Sequence, residues 1–201
     1  MLSKMANASL TKPAASFRAR LGDPVLTQIL DHWCGLSAQA GGRTPSRGEF
    51  DPVAIPKLLR HLQLHQREAT GRYRCRLSGT AIVQQLGRDA TGLYLDEAIR
   101  AEAVPGRMRI YNRALETGRP VAYSGVMEIP GRGFKAYKRL LLPLTDAAGR
   151  PAYVLSAMIF KSVGPMDARK LDEAREIAVT PQIEIGRRSA PAAGIAVAEA
   201  A

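Results

Sequence analysis

Three extended segments follow one another in the second half of the chain, with only short turns between them. They cover residues 120–129, 136–145 and 152–161. The separators, 130–133 and 146–150, contain the Gly, Pro and Asp residues typical of turns. Because a parallel pair needs a crossover of about a dozen residues or more, strands joined this closely must run antiparallel. The last segment is apolar on both faces, which predicts an interior strand covered on each side.

The part of the chain before these strands changes its hydrophobic period twice. Residues 23–42 begin with Asp-Pro and carry apolar residues on one face, which predicts an amphipathic helix capped by Asp23. Residues 62–66 and 72–77 alternate with a period of two and predict a hairpin. Residues 105–117 return to helical spacing and predict a longer helix. The order is therefore helix, two strands, short helices, a longer helix and three strands.

The composition predicts one ordinary domain with tails. The chain has 201 residues, 46% of them hydrophobic, and 29 Lys+Arg against 18 Asp+Glu, a net charge of +11. No apolar run approaches the roughly 18 residues of a membrane span, so we expect no span. The sequence divides into a basic leader expected to be disordered, the domain itself, a closing helix and a disordered tail, at 1–22, 23–163, 164–180 and 181–201.

The cysteines and histidines indicate neither a disulfide framework nor a metal site. Cys34 and Cys75 are far apart and have no Cys or His doublet beside them. Such residues are typical of free thiols in a reducing compartment, so we expect a cytoplasmic protein. His61 and His65 lie in an extended segment, where a spacing of four separates two side chains by roughly 13 Å. No metal ligands are predicted.

Four motifs stand in order between residues 23 and 163: Trp33 on the first helix, Pro45-Ser46-Arg47 followed by Asp51-Pro52, the segment Tyr73 to Thr80, and Leu142-Pro143-Leu144. Together with the order of elements, they resemble a PAS domain, in particular a bacterial stand-alone PAS-like subfamily. The resemblance implies an α+β fold: a five-stranded antiparallel sheet with helices on one face and an N-terminal amphipathic helix. That helix, or a second subunit, would cover the other face. One departure is Lys138-Arg139, where the subfamily often carries Glu-Arg.

The resemblance also implies a sensory or protein-interaction module rather than an enzyme. A small ligand would bind between helix 105–117 and the concave side of the sheet, in a pocket lined by Leu77, Met108, Tyr111, Leu115, Met127, Leu142 and Met158. The alternative is that these residues form plain hydrophobic core. The Tyr111 hydroxyl suits a ligand-orienting role. Arg139 or Arg74 could face an anionic ligand, although strand cations are more often solvated or ion-paired. The sequence identifies no cofactor.

The amphipathic helix 23–42 predicts a homodimer. Its apolar face is larger than one sheet needs, and Leu26, Leu30 and Trp33 are the expected interface residues, with the tryptophan as anchor. A signalling partner protein is expected as well, and the sequence does not identify it.

Two further function classes stay open. A basic nucleic-acid-associated protein would explain the net charge, but only Tyr73 is interleaved with arginines as a stacking platform, so nucleic acid is not the favoured partner. A small enzyme or carrier on a cone-like α+β fold would place a carboxylate or histidine inside its cavity. Glu128 and His65 alternate out of phase with the apolar positions, which argues against that class. No nucleotide-binding or nucleophile motif occurs, and we expect no catalytic residues.

Overall fold

The computed structural model describes residues 12–164 and residue 167. The helices are α1 (Lys12–Leu21), α2 (Pro24–Gln39), α3 (Thr80–Leu86), α4 (Leu95–Ala98) and α5 (Val104–Thr117), and the strands are β1 (Leu62–Arg67), β2 (Tyr73–Ser78), β3 (Val121–Ile129), β4 (Gly133–Thr145) and β5 (Pro151–Ser162). Three short 3-10 segments lie at Pro52–Ala54, Pro56–His61 and Ala101–Ala103. The predicted order of elements is confirmed. None of the helices in the described part of the chain has both the length and the hydropathy of a membrane-crossing segment.

The strands form one five-stranded sheet in the order β2-β1-β5-β4-β3, and every neighbouring pair is antiparallel. The two long strands β4 and β5 form the middle of the sheet together with β1. The predicted α+β architecture is therefore confirmed, including the interior position of the last strand. Because side chains alternate across a strand, β4 and β5 must present apolar residues to both faces.

Helix α2 covers one face of this sheet, as the amphipathic pattern predicted. The Asp23 carboxylate accepts hydrogen bonds from the backbone N–H groups of Val25 and Leu26, which confirms the predicted cap. The helix packs its apolar side on alternate residues of β1, β4 and β5: Leu62, Leu64, Leu140, Leu142, Leu144, Leu155 and Ala157.

The expected dimer contact through α2 is wrong for this fold, because the residues predicted to form it are buried in the core of the same chain. Leu26, Leu30 and Trp33 are each 1–2% exposed. The Trp33 indole Nε1–H also donates to the Pro143 carbonyl oxygen at 2.9 Å. The sequence pattern shows that this face needs a partner, and the partner is the sheet rather than a second subunit.

The leader was predicted to be disordered, and this prediction is wrong for its second half, where α1 forms. Phe17 and Leu21 are one helical turn apart and both are buried against α2 and the sheet. The Arg18 guanidinium pairs with Asp31 on α2 at 2.9 Å, and Lys138 Nζ donates to the Leu21 carbonyl oxygen. Two apolar residues were too few to give a helical period. Residues 1–11, and the predicted closing helix and tail apart from residues 164 and 167, lie outside the described residues.

Helix α5 lies on the opposite face of the sheet, which is the layout expected for a pocket. Its buried residues Ile110, Tyr111, Ala114 and Leu115 pack on Val121, Leu141 and Val154 and on Tyr73 of the edge strand. The helix ends at Gly118, which adopts a left-handed conformation with φ of 64°. The sheet is thus an interior layer between α1 and α2 on one side and α5 on the other.

Gly79, between β2 and α3, lies against the backbone of Leu59 and Arg60. Its substitution provides a first prediction. A Cβ atom there would lie 2.4 Å from the Arg60 carbonyl oxygen, and backbone atoms cannot yield as a flexible side chain does. We expect Gly79→Ala to lower the free energy of unfolding by about 1–3 kcal/mol, measured by urea denaturation. Gly48→Ala is the matched control, since its Cβ would meet Ser46 Oγ only at 3.9 Å. Equal stability of the two variants would contradict this packing.

Candidate functional site

Four of the seven predicted pocket residues gather on the α5 side of the sheet. Tyr111 and Leu115 of α5 are fully buried there, and Met108 packs at the margin of the same cluster. Met158 of β5 is also fully buried, and it pairs with Arg139 of β4, whose guanidinium contacts both Met158 and Tyr111. These residues form the predicted junction of helix and sheet.

The other three predicted residues do not join them, and two of the assignments are wrong. Leu142 packs on the opposite face with α2, while its neighbour Leu141 takes the α5 side. Leu77 lies on the edge strand and is 48% exposed, beyond a register shift between Leu64 and His65. Met127 shares the face of Tyr123 by alternation but is only half-buried and pairs with Lys135 near the outer end of β3 and β4.

A buried arginine lies at the centre of the α5 side. The side chain of Arg139 is 5% exposed. Its Nη1–H donates to the Tyr111 hydroxyl oxygen at 3.2 Å, and its Nη2 lies 2.7 Å from the Met158 sulfur. Its Nε–H has no hydrogen-bond partner. Among the described residues, none of the carboxylates forms an ion pair with this guanidinium.

Unpartnered polar groups surround this arginine. We define the Arg139 cluster as Arg139, Tyr111, Tyr123, His65 and Ser156. The Tyr123 hydroxyl, the Ser156 hydroxyl and His65 Nδ1 are buried without a hydrogen-bond partner, like Arg139 Nε. Within the described part of the chain, the one other atom of this kind is His32 Nε2, on α2. Four of these five atoms therefore lie on the α5 side of the sheet.

The sheet register places these groups on one face. Tyr123 of β3 pairs with Arg139 of β4, and Arg139 pairs with Met158 of β5. Neighbouring strands lie about 4.8 Å apart, so these three side chains form a row across the sheet. Ser156 lies two residues from Met158 along β5 and shares its face. His65 of β1 pairs with Val154, two residues beyond Ser156.

Aromatic contacts fix the position of Tyr111 above this row. Its ring contacts His65 and Tyr73 edge to face, with centroids 5.3 and 5.2 Å apart. Tyr73 in turn donates its hydroxyl to the Asn112 side-chain oxygen at 2.7 Å. Edge-to-face pairs of this kind add stability beyond the buried area. Tyr111 is therefore held over Arg139 by rings on two strands.

The electrostatics of the cluster leave its positive charge uncompensated. The pKa of His65 is lowered to about 3 by burial and then by the charges of Arg139 and Arg107. Burial raises the pKa of Tyr123 to about 12. Both groups are neutral near pH 7, whereas a guanidinium stays protonated. Arg107 adds a second, half-buried cation whose Cζ lies 5.3 Å from the centre of the Tyr123 ring.

The lowered pKa of His65 predicts a pH dependence of stability. An unfolded histidine titrates near 6.5, so below that pH the unfolded chain binds a proton that the folded chain excludes down to about pH 3. The stabilisation is therefore present above pH 6.5 and is lost as the pH falls. We expect His65 to account for a loss of about 2 kcal/mol in the free energy of unfolding between pH 7.5 and 5.

The measurement is urea denaturation of the wild type and His65→Gln at both pH values. His32 and His61, whose pKa values are also lowered by burial, titrate in both proteins and cancel in the comparison. The variant is expected to lose about 2 kcal/mol less than the wild type over this range. Equal losses would contradict a buried neutral His65.

A separate, open groove lies away from this cluster, between the end of α2, the end of α5 and the turn between β4 and β5. Its wall includes the loop of Arg43 and Thr44, where Arg43 pairs with Glu49. The Thr44 hydroxyl donates to the Gly118 carbonyl oxygen at 3.2 Å. The Pro-Ser-Arg loop of the sequence motif thus ties α5 to the domain. Arg43 and Asp146 of this groove form ion pairs within the chain, and among the described residues none of the buried, unpartnered polar atoms lines it.

The family of the chain follows from its sequence as well as its fold. The model of the PAS domain family matches residues 22–159, and the chain therefore belongs to that family. A PAS domain is a sensory module, and this is the class to which the protein belongs. No curated protein is detectably similar to it in sequence.

Several solved structures are similar to parts of the chain. The PAS domain of BvgS from Bordetella pertussis shares 16% identity over 63% of this chain and 98% of its own, with a TM-score of 0.44. A LOV protein from Rhodobacter sphaeroides shares 13% identity over 54% of this chain and 63% of its own, with a TM-score of 0.41. VqmA bound to DPO shares 14% identity over 51% of this chain and 53% of its own, with a TM-score of 0.40. The chain thus spans about half to two-thirds of the last two.

Proposed function

We propose that this PAS domain senses a small polar molecule that binds at the Arg139 cluster, between α5 and the sheet. The observation that supports this proposal is the presence of four buried, unpartnered polar atoms on the α5 side of the sheet. Burying such a group without a partner costs roughly 1–3 kcal/mol in proteins. A ligand with several oxygen or nitrogen atoms would satisfy these groups together and recover that cost.

Binding of this kind would move α5, which provides a way to transmit a signal. Tyr111 and Leu115 are fully buried against the sheet, so a molecule entering beside Arg139 must displace part of that packing. The N-terminal half of α5 is the natural entrance, because Arg107 and Met108 are only half-buried. A ligand that binds the displaced state better than the closed state shifts the population toward it. A partner protein that recognises α5 or the residues beside it would then bind differently to the displaced state.

Location and assembly remain part of this proposal. We propose a cytoplasmic protein, supported by the free thiols of Cys34 and Cys75. Burial raises the pKa of Cys34 to about 11, which makes it an unreactive thiol. We propose a homodimer as well, formed through a surface other than the buried residues of α2. The absence of catalytic activity stays a prediction.

The nucleic-acid alternative receives no support from Tyr73 or its neighbour Arg72. Tyr73, the aromatic residue expected as a stacking platform, is fully buried and is not available to stack on bases. Arg72 pairs with Asp96 and Glu97 and lies over the Tyr94 ring at 3.7 Å.

The enzyme alternative requires a carboxylate or histidine inside the domain, and His65 meets this requirement, contrary to the sequence prediction. His65 lies inside the α5 side of the sheet, because the alternation along β1 places Leu62 and Leu64 on the α2 side. It is nevertheless a neutral imidazole beside two cations, with no carboxylate paired to it among the described residues. This is a poor general base near pH 7.

Native mass spectrometry tests the proposal directly. The full chain is measured as purified from its host cells and again after incubation with a small-molecule extract of those cells. We expect a one-to-one adduct on the wild type that is lost in Arg139→Met and kept in Arg113→Met, whose side chain is on the exposed side of α5. Spectra that show the bare chain under both conditions would overturn the proposal.

A further inference from the structure

We infer that the ligand of the Arg139 cluster is a small organic carboxylate, and that its carboxylate group contacts the Arg139 guanidinium. This inference rests on the proposed function and adds the chemical class of the ligand.

Several exposed arginines of this domain form ion pairs with acids, whereas the most deeply buried arginine of the described residues forms none. Arg18 pairs with Asp31, Arg72 with Asp96 and Arg150 with Asp146, all at 2.8–2.9 Å and all on the surface. Arg139 is 5% exposed, and its nitrogens reach only a tyrosine hydroxyl and a thioether. A buried cation without a counter-charge costs several kcal/mol. A buried cation without a counter-charge therefore indicates a functional role rather than a stabilising one.

The chain supplies no negative charge at this place. Tyr123 and His65 are neutral near pH 7, for the reasons given above. Arg107 increases the positive potential rather than reducing it. Among the described residues, no Asp or Glu reaches the guanidinium. We therefore expect the compensating charge to come from a bound molecule.

The donors around Arg139 match a carboxylate. The guanidinium is a planar fork that binds the two oxygens of a carboxylate side by side. The free Nε–H lies on that fork, and the Ser156 and Tyr123 hydroxyls can donate to the remaining lone pairs. A single negative charge balances the one fully buried cation. The surrounding surface of Tyr73, Leu141 and Val154 is apolar or aromatic, which suits an organic body behind the carboxylate.

Matched acids and amides separate the contribution of the ligand's charge to binding affinity from the contribution of its shape. Binding of benzoate, butyrate and succinate is compared by calorimetry with that of benzamide, butyramide and succinamide. For at least one pair we expect the acid to bind about ten- to a hundredfold more tightly than the amide, the range that a charge-assisted hydrogen bond supplies. Arg139→Met is expected to lose this preference and Arg113→Met to keep it. Arg139→Lys, which keeps the charge but not the fork, is expected to lose part of it.

The outcomes distinguish this inference from the proposed function. The inference that the ligand is a carboxylate would be overturned by amides that bind as tightly as acids, or by a copurified molecule that fragmentation shows to be neutral. Neither result would contradict the proposed function, the sensing of a ligand at the Arg139 cluster. Failure of every acid to bind would also overturn the inference. The proposed function is overturned only if the native mass spectra of the purified and the extract-treated protein also show the bare chain. Circular dichroism of each variant shows that a lost interaction reflects the site and not an unfolded chain.

Discussion

Replacing Trp33 with alanine is expected to lower the free energy of unfolding by about 3–5 kcal/mol. The side chain is 1% exposed and belongs to the cluster that joins α1 and α2 to the sheet. Truncation removes the ring from that cluster and leaves a cavity. It also leaves the buried Pro143 carbonyl without the indole N–H that now donates to it at 2.9 Å. Trp33 is the only tryptophan of the chain, so urea denaturation is followed by circular dichroism.

Trp33→Phe is the matched control for this prediction. It keeps an aromatic ring in the cluster and loses the hydrogen bond, so we expect a smaller loss, about 1–2 kcal/mol. Sizing chromatography of the variants separates this role from the dimer contact that the sequence suggested. A Trp33→Ala variant as stable as the wild type, with a changed subunit number, would show that Trp33 lies at a subunit interface instead.

The second large effect is a gain of stability. We expect the double variant Arg139→Met with Tyr111→Phe to raise the free energy of unfolding of the ligand-free protein by about 1–4 kcal/mol. The changes replace a buried cation and its hydroxyl partner by apolar groups of similar shape, so neither partner of their hydrogen bond at 3.2 Å is left behind. The same variant is expected to lose ligand binding. A gain of stability with a loss of binding is the pattern of a residue kept for function.

Bound ligand would hide this gain, so the proteins are compared after unfolding, dialysis and refolding. Arg113→Met is the control, since an exposed arginine without an ion pair is expected to change stability by less than about 0.5 kcal/mol. A double variant less stable than the wild type would show that Arg139 is a structural residue whose contacts within the chain outweigh its buried charge.

Most of the fold could be predicted from the sequence because each element carries its own period. Residues 105–117 show helical spacing and form α5, and the short turns of the meander leave antiparallel pairing as the one option. Helix α1 escaped prediction because its stability comes from two buried side chains, Phe17 and Leu21, and not from a repeating pattern. Packing of this kind is visible only once the sheet and α2 are in place.

The site was harder to predict than the fold, and the reasons are local. Residues 140–144 are apolar at every position, so the sequence could not show that Leu141 rather than Leu142 faces α5. The register shift beside Leu64 changes the phase of the edge strand and leaves Leu77 exposed. The period of residues 105–117 predicts that Tyr111 lies on the buried side of α5, because a helix has a single buried face.

The sequence predicts a solvated or ion-paired role for Arg139, since a strand arginine is usually solvated. Arg139 is two residues from Leu141 and four from Pro143, so the period of a strand places all three on one face. Its neighbour Lys138 is in phase with Leu140 and Leu142, which are also buried, and yet it is exposed and donates to the Leu21 carbonyl oxygen. Phase alone therefore does not show which of the two cations is buried.

A crystal structure of the full chain, purified from its host cells without refolding, tests the central claim most directly. The account predicts electron density for a non-protein group beside the Arg139 guanidinium, within hydrogen-bond distance of Nε and of the Ser156 or Tyr123 hydroxyl. Density only for ordered water at these atoms, with α5 closed as described, in a protein whose native mass is that of the bare chain, would contradict it.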